Sequence, residues 1–332
     1  MTSIADLRRF TPDLRGLGDI RLVTIDNGPG RGQRMLLMRN ASGIGFEVAV
    51  DRGFDPCALT FRGINVGWNA PTRMPAPPFS YDAEDGLGML RSLDGLLATC
   101  GLDHYGLPVT GPSRHLAYAN RQCIQYPLHG RISGQSATLI GYGITEGDAP
   151  VLWCEAEVRQ SAVFAEVLVL RRRIELPLVG DTISIVDRVT NAGFRPARHG
   201  VLYHCNIGYP LLDHDSEPTG VLATMRTAWD DCPPRPNPDG EEMVDAIALD
   251  ASPDIVEAGL HNPRLDMGFT LRFRRSELPG LALWRCWQSG IFVLGIEPNS
   301  ALGGDQLDPD TSPEAFLAAG ETRDYALEFI LT

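Results

Sequence analysis

The sequence predicts an all-β protein of antiparallel strands arranged as a sandwich, with a few short helices. Three observations support this prediction. Apolar and polar residues alternate with a period of two in many segments. Glycine and proline are abundant, at 35 and 25 residues, and they are spread along the chain, as many turns between strands require. Segments with the helical period are few.

The chain of 332 residues is predicted to form a single domain. Length alone would allow one large β domain or two average ones. The two candidate loops, 70–78 and 230–241, are too short to be persuasive domain linkers. We therefore expect one domain over residues 1–332, with residues 1–20 as a candidate N-terminal extension.

Each predicted strand is an alternating segment or an apolar run between turn signals. In segment 44–50, alternation places Phe46, Val48 and Val50 on one face and Glu47 on the other. The remaining predicted strands are 20–26, 33–39, 136–144, 151–158, 163–176, 182–191, the start of 201–213, 269–275, 281–287, 291–297 and 324–331.

Two segments predict helices. Segment 84–100 spaces four leucines near the helical period, although three glycines weaken the pattern. Segment 312–320, "SPEAFLAAG", has a serine cap, a proline at the first helical position and a closing glycine. It predicts one short helix.

Charge and cysteine usage exclude several classes of partner. The net charge of −13 repels nucleic acid and anionic lipid. The only dense basic cluster, Arg171 to Arg173, is expected on a solvated strand face. Seven scattered cysteines form no disulfide framework. The N-terminus has no apolar segment typical of a secretory signal, and no apolar stretch reaches membrane-spanning length, so we expect a cytoplasmic protein.

Polar residues at the ends of apolar strands are the candidates for chemistry. The sequence has no nucleotide-binding glycine motif, no HExxH and no GxSxG. A single histidine at a strand end is more often a hydrogen-bonded structural residue. Several of them in similar contexts with one glutamate indicate a site, because loops on rigid scaffolds commonly carry function. The candidates are Arg62, Asn65, Asp103, His104, His129, Arg131, His204, Asn206, Glu297 and Asn299.

Five sequence words carry a resemblance to a known family. They are "FRGINVGWNAPT" (61–72), "PLHGR" (127–131), "YHCNIGYPLL" (203–212), "GIEPNS" (295–300) and "LAAGETRDYALEFIL" (317–331). Together they resemble the galactose mutarotase-like superfamily, and more closely its uncharacterised branch, labelled aldose 1-epimerase family or domain of unknown function. The resemblance extends from about Val48 to the C-terminus.

The resemblance implies a β-supersandwich that binds a sugar across the concave face of one sheet. Aldose 1-epimerases interconvert sugar anomers by opening the ring. From their positions in the matching motifs, Glu297 would be the base and His204 the acid. Ring opening needs one proton removed and one donated at two oxygens of a single carbon, which a carboxylate and an imidazolium can supply.

The resemblance also implies a set of residues that hold sugar hydroxyls. His129 and Arg131 match the first histidine and an arginine of the family. The proposed substrate-binding set is completed by Arg62, His104 and Asn206. Exposed aromatic residues could stack on the sugar, and the candidates are Trp68, Tyr105 and Tyr209.

The chain departs from characterised mutarotases in two ways. Arg131 follows Gly130 directly, whereas two residues commonly intervene in the family. The substrate-holding aspartate of the family has no clear match, although Asp230 and Asp231 lie in a plausible region.

Three functions remain open at this stage. The first is a mutarotase that acts on a free aldose, with a small-molecule sugar as its only expected partner, no cofactor and no metal. The second is a carbohydrate-binding protein without turnover. The third is a metal-dependent sugar isomerase with His104, His129, His204 and Glu297 as ligands, because imidazole and carboxylate suit zinc or manganese. No short ligand spacing supports the third function.

Overall fold

Antiparallel strands are the main regular secondary structure of the chain, as its alternating pattern predicts. The structure, a computed structural model, describes residues 4–145, 147–228, 233–250 and 253–332. Its first sheet has five strands in sequential order, namely β1 (Asp19–Thr24), β2 (Arg34–Arg39), β3 (Ile44–Ala49), β4 (Asp55–Phe61) and β5 (Ile64–Asn65).

The largest sheet has eight antiparallel strands. In spatial order they are β15 (Glu217–Gly220), β17 (Ile255–Asn262), β18 (Met267–Arg274), β22 (Thr322–Leu331), β12 (Thr182–Asn191), β11 (Val167–Pro177), β10 (Val151–Ser161) and β9 (Thr138–Ile144). A third sheet has five strands in the order β16 (Glu242–Ile247), β19 (Gly280–Cys286), β20 (Val293–Asn299), β14 (Leu202–Ile207) and β6 (Leu97–Cys100). Two small pairs complete the strands, β7 (Val109–Pro112) with β8 (Cys123–Tyr126) and β13 (Ala197–Arg198) with β21 (Phe316–Leu317).

The main core lies where the apolar faces of the three large sheets meet. Period-two alternation sends one side of each strand into this core. Its members include Leu36, Phe46 and Leu59 from the first sheet, Leu170, Ile185 and Phe329 from the eight-stranded sheet, and Cys205, Leu283 and Ile296 from the third sheet.

The opposite face of the third sheet carries a second, smaller cluster. Its members include Trp68, Ala98, Leu202 and Trp284. This face of the third sheet, called the site face below, positions the candidate functional residues.

The helices of the described residues are short. They are α1 (Ile4–Phe10), α2 (Ala83–Gly86) and five 3₁₀ turns at Leu14–Gly16, Gly88–Arg91, Ile132–Gly134, Val221–Ala228 and Pro313–Ala315. No helix among the described ranges is long and apolar enough to cross a membrane.

The prediction of a continuous helix over 84–100 is wrong. The segment contains α2, a 3₁₀ turn and then strand β6. Gly95 has φ = +94°, and a Cβ there would lie 2.8 Å from the carbonyl oxygen of Cys57. The chain therefore turns at Gly95 and enters the third sheet, where Leu97 packs in the core. Segment 312–320 forms only a 3₁₀ turn before β21.

The expectation for the arginine cluster is correct at two of its three positions. Arg171 and Arg173 lie on the outer face of β11 with side chains 57% and 36% exposed, but Arg172 is fully buried. Its guanidinium lies 2.6 Å from a carboxylate oxygen of Asp187 and 2.7 Å from one of Asp55. Two carboxylates compensate the buried charge, which explains how a core position accepts arginine.

Candidate active site

Strands β14 and β20 bring His204 and Glu297 together. The two strands are antiparallel neighbours, and their register pairs Leu202 with Asn299 and Cys205 with Ile296. This register sets His204 opposite Glu297, and alternation points both side chains to the site face. On the other side of β14, the residue paired with His204 is the small Ala98.

The two side chains are in contact in a buried environment. His204 Nε2 lies 3.1 Å from Glu297 Oε1, and both side chains are 5% exposed. Burial raises the pKa of Glu297, an effect that His204 partly offsets. Glu297 Oε1 accepts no hydrogen bond from any residue that the structure describes, although His204 Nε2 lies 3.1 Å away. A buried carboxylate oxygen without a hydrogen bond is available to a ligand donor.

Asn206 fixes the position of the proton on His204. Its side-chain nitrogen donates to the carbonyl oxygen of Gly95 at 3.1 Å. A carbonyl oxygen can only accept, so the amide orientation is determined, and Oδ1 of Asn206 faces His204 Nδ1 at 2.6 Å. His204 Nδ1 must therefore carry a hydrogen. Nε2 is left as the nitrogen that faces Glu297.

His129 lies against His204 and presents the other tautomer. The two rings are 5.4 Å apart between centroids and nearly perpendicular. The backbone N–H of Gly106 donates to His129 Nδ1 at 3.4 Å, which places the hydrogen of a neutral ring on Nε2. Burial, with a smaller effect of neighbouring histidines, holds the pKa of His129 well below its usual value. His129 is thus a neutral hydrogen-bond donor beside His204.

Two tryptophans line a cavity next to these residues. The Trp284 ring lies 5.1 Å from the His204 ring and 5.8 Å from the Trp68 ring, between centroids. Trp68, Trp284 and Glu242 are among the residues around a cavity of about 350 Å³. Glu242 accepts a hydrogen bond from Trp284 Nε1 at 2.7 Å and also contributes to the raised pKa of Glu297.

The hydrogen bonds of His104 do not support its expected role in sugar binding. Its Nδ1 accepts from Arg198 at 3.0 Å, and its Nε2 bonds to the carbonyl oxygen of Leu107 at 2.8 Å. Burial lowers the pKa of His104 to about 4, and the residue is 1% exposed. Neither ring nitrogen is left for a ligand, so His104 acts as a structural residue.

Arg131 lines a cavity that His204, Glu297 and Trp284 do not line. Its guanidinium bonds to Asp82 at 2.5 Å and to the carbonyl oxygen of Gln125 at 2.9 Å, and it lies 3.4 Å from Asp103. It lines a separate, polar cavity of about 420 Å³ together with Glu166. The guanidinium of Arg131 is already bonded to these partners. Its position therefore does not support the expected role in holding a sugar.

Arg62 lies in an exposed turn between β4 and β5. Its guanidinium is 4.5 Å from the centroid of the Phe61 ring, and its φ is +51°. These contacts belong to the first sheet, so the geometry does not join Arg62 to the pair on the third sheet. Asp230 and Asp231, the candidates for a substrate-holding aspartate, lie outside the described residues.

The three candidate stacking residues have different environments. Trp68 lines the cavity beside Trp284 and is 7% exposed. Tyr209 is 67% exposed and lines an adjoining cavity of about 220 Å³. Tyr105 donates from its hydroxyl to Asn299 at 3.1 Å. Only Trp68 shares a cavity with Trp284.

Sequence reasoning missed Trp284 and Glu242. Segment 281–287 is predicted as a strand, and alternation separates Trp284 from its neighbours Leu283 and Arg285. That pattern shows that Trp284 points to the opposite side of the strand from Leu283 and Arg285. It does not show which side of the strand is functional. The pairing of β16 with β19, which joins Glu242 to Cys286, becomes visible only in the sheet.

The four proposed metal ligands do not all meet at one point. Within the described part of the chain, only Asp213, His214 and Asp215 place three ligand atoms close together, and Arg264 already pairs with Asp213. His104 has both nitrogens bonded within the protein. The donor set required by a metal-dependent isomerase is therefore not assembled.

Comparison with known proteins places the chain in a family and a fold. The family model described as "Domain of unknown function (DUF4432)" matches residues 30–331. No curated protein matches the chain.

Solved structures share the fold at low sequence identity. One is described as a candidate aldose 1-epimerase from Klebsiella pneumoniae, with a TM-score of 0.80 and 21% identity over 95% of this chain and 83% of that one. A galactose mutarotase-like protein from Clostridium acetobutylicum has a TM-score of 0.65 and 12% identity over 96% and 99% of the two chains. The galactose 1-epimerase from Lactobacillus acidophilus has a TM-score of 0.60 and 10% identity over 95% and 98%. The predicted supersandwich is confirmed, and the chain belongs to the DUF4432 family and has the galactose mutarotase-like fold.

Proposed function

We propose that this protein interconverts the anomers of a free aldose, with Glu297 as base and His204 as acid. The observation that carries the proposal is the 3.1 Å approach of His204 Nε2 to Glu297 Oε1 on one sheet face. The fold shared with aldose 1-epimerases supports the same function.

In this mechanism the sugar replaces the mutual contact of the pair. The anomeric O1–H donates its proton to Glu297, and Nε2–H of protonated His204 donates to the ring oxygen O5. The C1–O5 bond breaks as the C1–O1 carbonyl forms, which gives the open-chain aldehyde. Rotation about C1–C2 and reversal of both transfers close the ring as the other anomer. Protons and electrons balance, and the pair returns to its starting state.

The surrounding residues position the pair and the sugar. Asn206 keeps the hydrogen on His204 Nδ1, so that the mobile proton is the one on Nε2. His129 has a neutral Nε2–H that can donate to a sugar hydroxyl. Trp284 offers an indole beside His204, on which the apolar face of a sugar can stack.

Polarimetry tests the proposal. Freshly dissolved α-anomers of a panel of aldoses are followed with the wild-type protein, with Glu297→Gln and with Glu328→Gln. Glu328 is the control because it lies on β22 in another sheet, with its side chain 38% exposed. We expect wild type and Glu328→Gln to accelerate the rotation change for at least one sugar. We expect Glu297→Gln to lose roughly 100-fold or more of that acceleration.

A binding titration beside the polarimetry distinguishes turnover from binding alone. Equal rates for wild type, Glu297→Gln and buffer across the panel would reject the mutarotase. Saturable sugar binding without acceleration would instead support a carbohydrate-binding protein.

A further inference from the structure

The cavity beside the catalytic pair is walled mainly by apolar groups. Besides the indoles of Trp68 and Trp284, its lining includes Leu90, Leu93 and Ile291. Leu90 is 52% exposed, which places a large apolar side chain at the mouth of the cavity. With about 350 Å³, the space suits a small organic group.

Most polar groups around this cavity are already bonded within the protein. Trp68 Nε1 donates to the carbonyl oxygen of Ile291 at 2.6 Å, and Trp284 Nε1 donates to Glu242 at 2.7 Å. The hydroxyl of Thr72 donates to the carbonyl oxygen of Leu93 at 2.9 Å. A sugar hydroxyl that entered the cavity would lose its hydrogen bonds to water and form few new ones with the protein. This exchange is unfavourable.

The cavity adjoins the proposed active site at one side chain. Trp284 lines the cavity and also lies against His204. A sugar whose anomeric carbon lies at His204 and Glu297 can therefore extend its remote end along Trp284 toward Trp68.

From this geometry we infer that the cavity selects an aldose whose end remote from the anomeric carbon carries an apolar group. The methyl group of a 6-deoxy sugar is the smallest such group, and alkyl or aryl substituents belong to the same class. This inference rests on the proposed function for the orientation of the sugar. The apolar character of the cavity is independent of that function.

Matched pairs of sugars test the inference. The pairs are 6-deoxygalactose with galactose, 6-deoxyglucose with glucose and 6-deoxymannose with mannose, each pair in one configurational series. The value of kcat/KM for anomer interconversion is measured by polarimetry, and the Kd is measured by quenching of tryptophan fluorescence. We expect the 6-deoxy member to be favoured roughly 10-fold in at least one pair.

A variant at the mouth of the cavity sharpens the test. Leu90→Ser removes apolar surface and should reduce the preference for the 6-deoxy member several-fold. Leu22→Ser is the matched control, because Leu22 is 37% exposed on β1 of another sheet. The preference of this variant for the 6-deoxy sugar should equal that of the wild-type protein.

The outcomes separate this inference from the proposed function. If no sugar is turned over but the 6-deoxy members bind more tightly, the mutarotase proposal fails and the apolar cavity stands. Equal or weaker binding of the 6-deoxy members, or no binding of any pair, would overturn the inference. So would a preference that Leu90→Ser leaves unchanged.

Discussion

At the scale of single residues, Asn206 determines which nitrogen of His204 carries a hydrogen away from Glu297. Its amide lies between the carbonyl oxygen of Gly95 and His204 Nδ1, and it is fully buried. The sequence predicted Asn206 as a sugar-binding residue, whereas its hydrogen bonds make it a positioning residue. In the proposed mechanism it acts on the sugar only through the imidazole.

Replacing Asn206 should impair turnover more than binding. Asn206→Leu removes the acceptor for Nδ1–H, so the ring of His204 is no longer held in one tautomer and orientation. Losing a hydrogen bond to a charged ring costs about 1.5–3 kcal/mol. This corresponds to a fall in kcat of roughly 10-fold to 100-fold with KM nearly constant. A variant that changes KM alone would show that Asn206 binds the sugar directly.

The pH dependence of activity should report the ionisation of Glu297. Burial raises the pKa of this carboxyl above its ordinary value of 4.5, and only the ionised form can accept the proton of O1–H. Activity is therefore present above the raised pKa and is lost as the pH falls through it. We expect the acid limb of kcat/KM against pH to lie above pH 4.5. An acid limb at or below that value would contradict this assignment.

Glu242 provides a charge-specific control for the pH profile. Its negative charge contributes to raising the pKa of Glu297. Glu242→Gln keeps an oxygen that can accept from Trp284 Nε1 but removes the charge. The acid limb should then move to lower pH, and an unchanged or higher limb would show that Glu242 does not act on Glu297.

At the scale of structural elements, the site depends on close packing between β19 and β20. Gly295 lies on the site face between Glu297 and Trp284. A Cβ there would be 2.8 Å from Glu297 Oε1 and 3.1 Å from Trp284 Cβ. Glycine at this position therefore leaves the space in which the carboxylate and the indole approach each other.

Gly295→Ala should displace the catalytic carboxylate. We expect anomer interconversion to fall at least about 10-fold, the effect of roughly 1.4 kcal/mol in the activation barrier, while the protein stays folded. Gly304→Ala is the control, because nothing lies within 4 Å of a Cβ at that position. Far-UV circular dichroism verifies folding, and full activity in Gly295→Ala would refute the crowding argument.

Strands were more predictable than helices for a physical reason. In segment 324–331, alternation alone identifies the buried face, and Tyr325, Leu327, Phe329 and Leu331 are buried as the pattern requires. In segment 84–100, leucines at the helical period coincide with glycines that allow turns. Leu97 to Cys100 form a strand because they pair within the third sheet. This pairing is a tertiary interaction, which local propensity does not predict.

At the scale of the whole molecule, Arg172 links the three large sheets. Besides Asp187 on its own sheet, it contacts Asp55 on β4 and donates to the Thr99 hydroxyl on β6 at 2.9 Å. The Tyr203 hydroxyl on β14 also donates to Asp187, at 2.7 Å. Tyr203 precedes His204, so this network anchors the core side of the strand whose other side carries His204.

Removing Arg172 should destabilise the entire fold. Arg172→Met leaves the carboxylates of Asp55 and Asp187 buried without their cation, which costs about 3–5 kcal/mol in the free energy of unfolding. Arg171→Met is the neighbouring control. Its side chain is 57% exposed, so we expect a loss below about 1 kcal/mol. Urea unfolding of both variants checks this, and equal losses would show that the buried network does not stabilise the fold.

The candidate pair could be found from the sequence, but its surroundings could not. His204 and Glu297 lie in recognisable sequence motifs at the ends of apolar strands. The partners of Arg131 and His104 come from distant segments, and one sequence does not reveal which side of a turn a side chain faces. Trp284 and Glu242 join the site through strand pairing, which is set by the sheet rather than by local pattern.

The central claim is that Glu297 and His204 together move protons at an anomeric carbon. Two-dimensional exchange NMR on an equilibrated aldose tests it directly, because cross-peaks between the α and β anomeric protons report interconversion without net reaction. We predict cross-peaks above the buffer level with the wild-type protein and with Glu328→Gln, and only buffer-level intensity with Glu297→Gln. Cross-peaks of wild-type intensity in Glu297→Gln would contradict the claim.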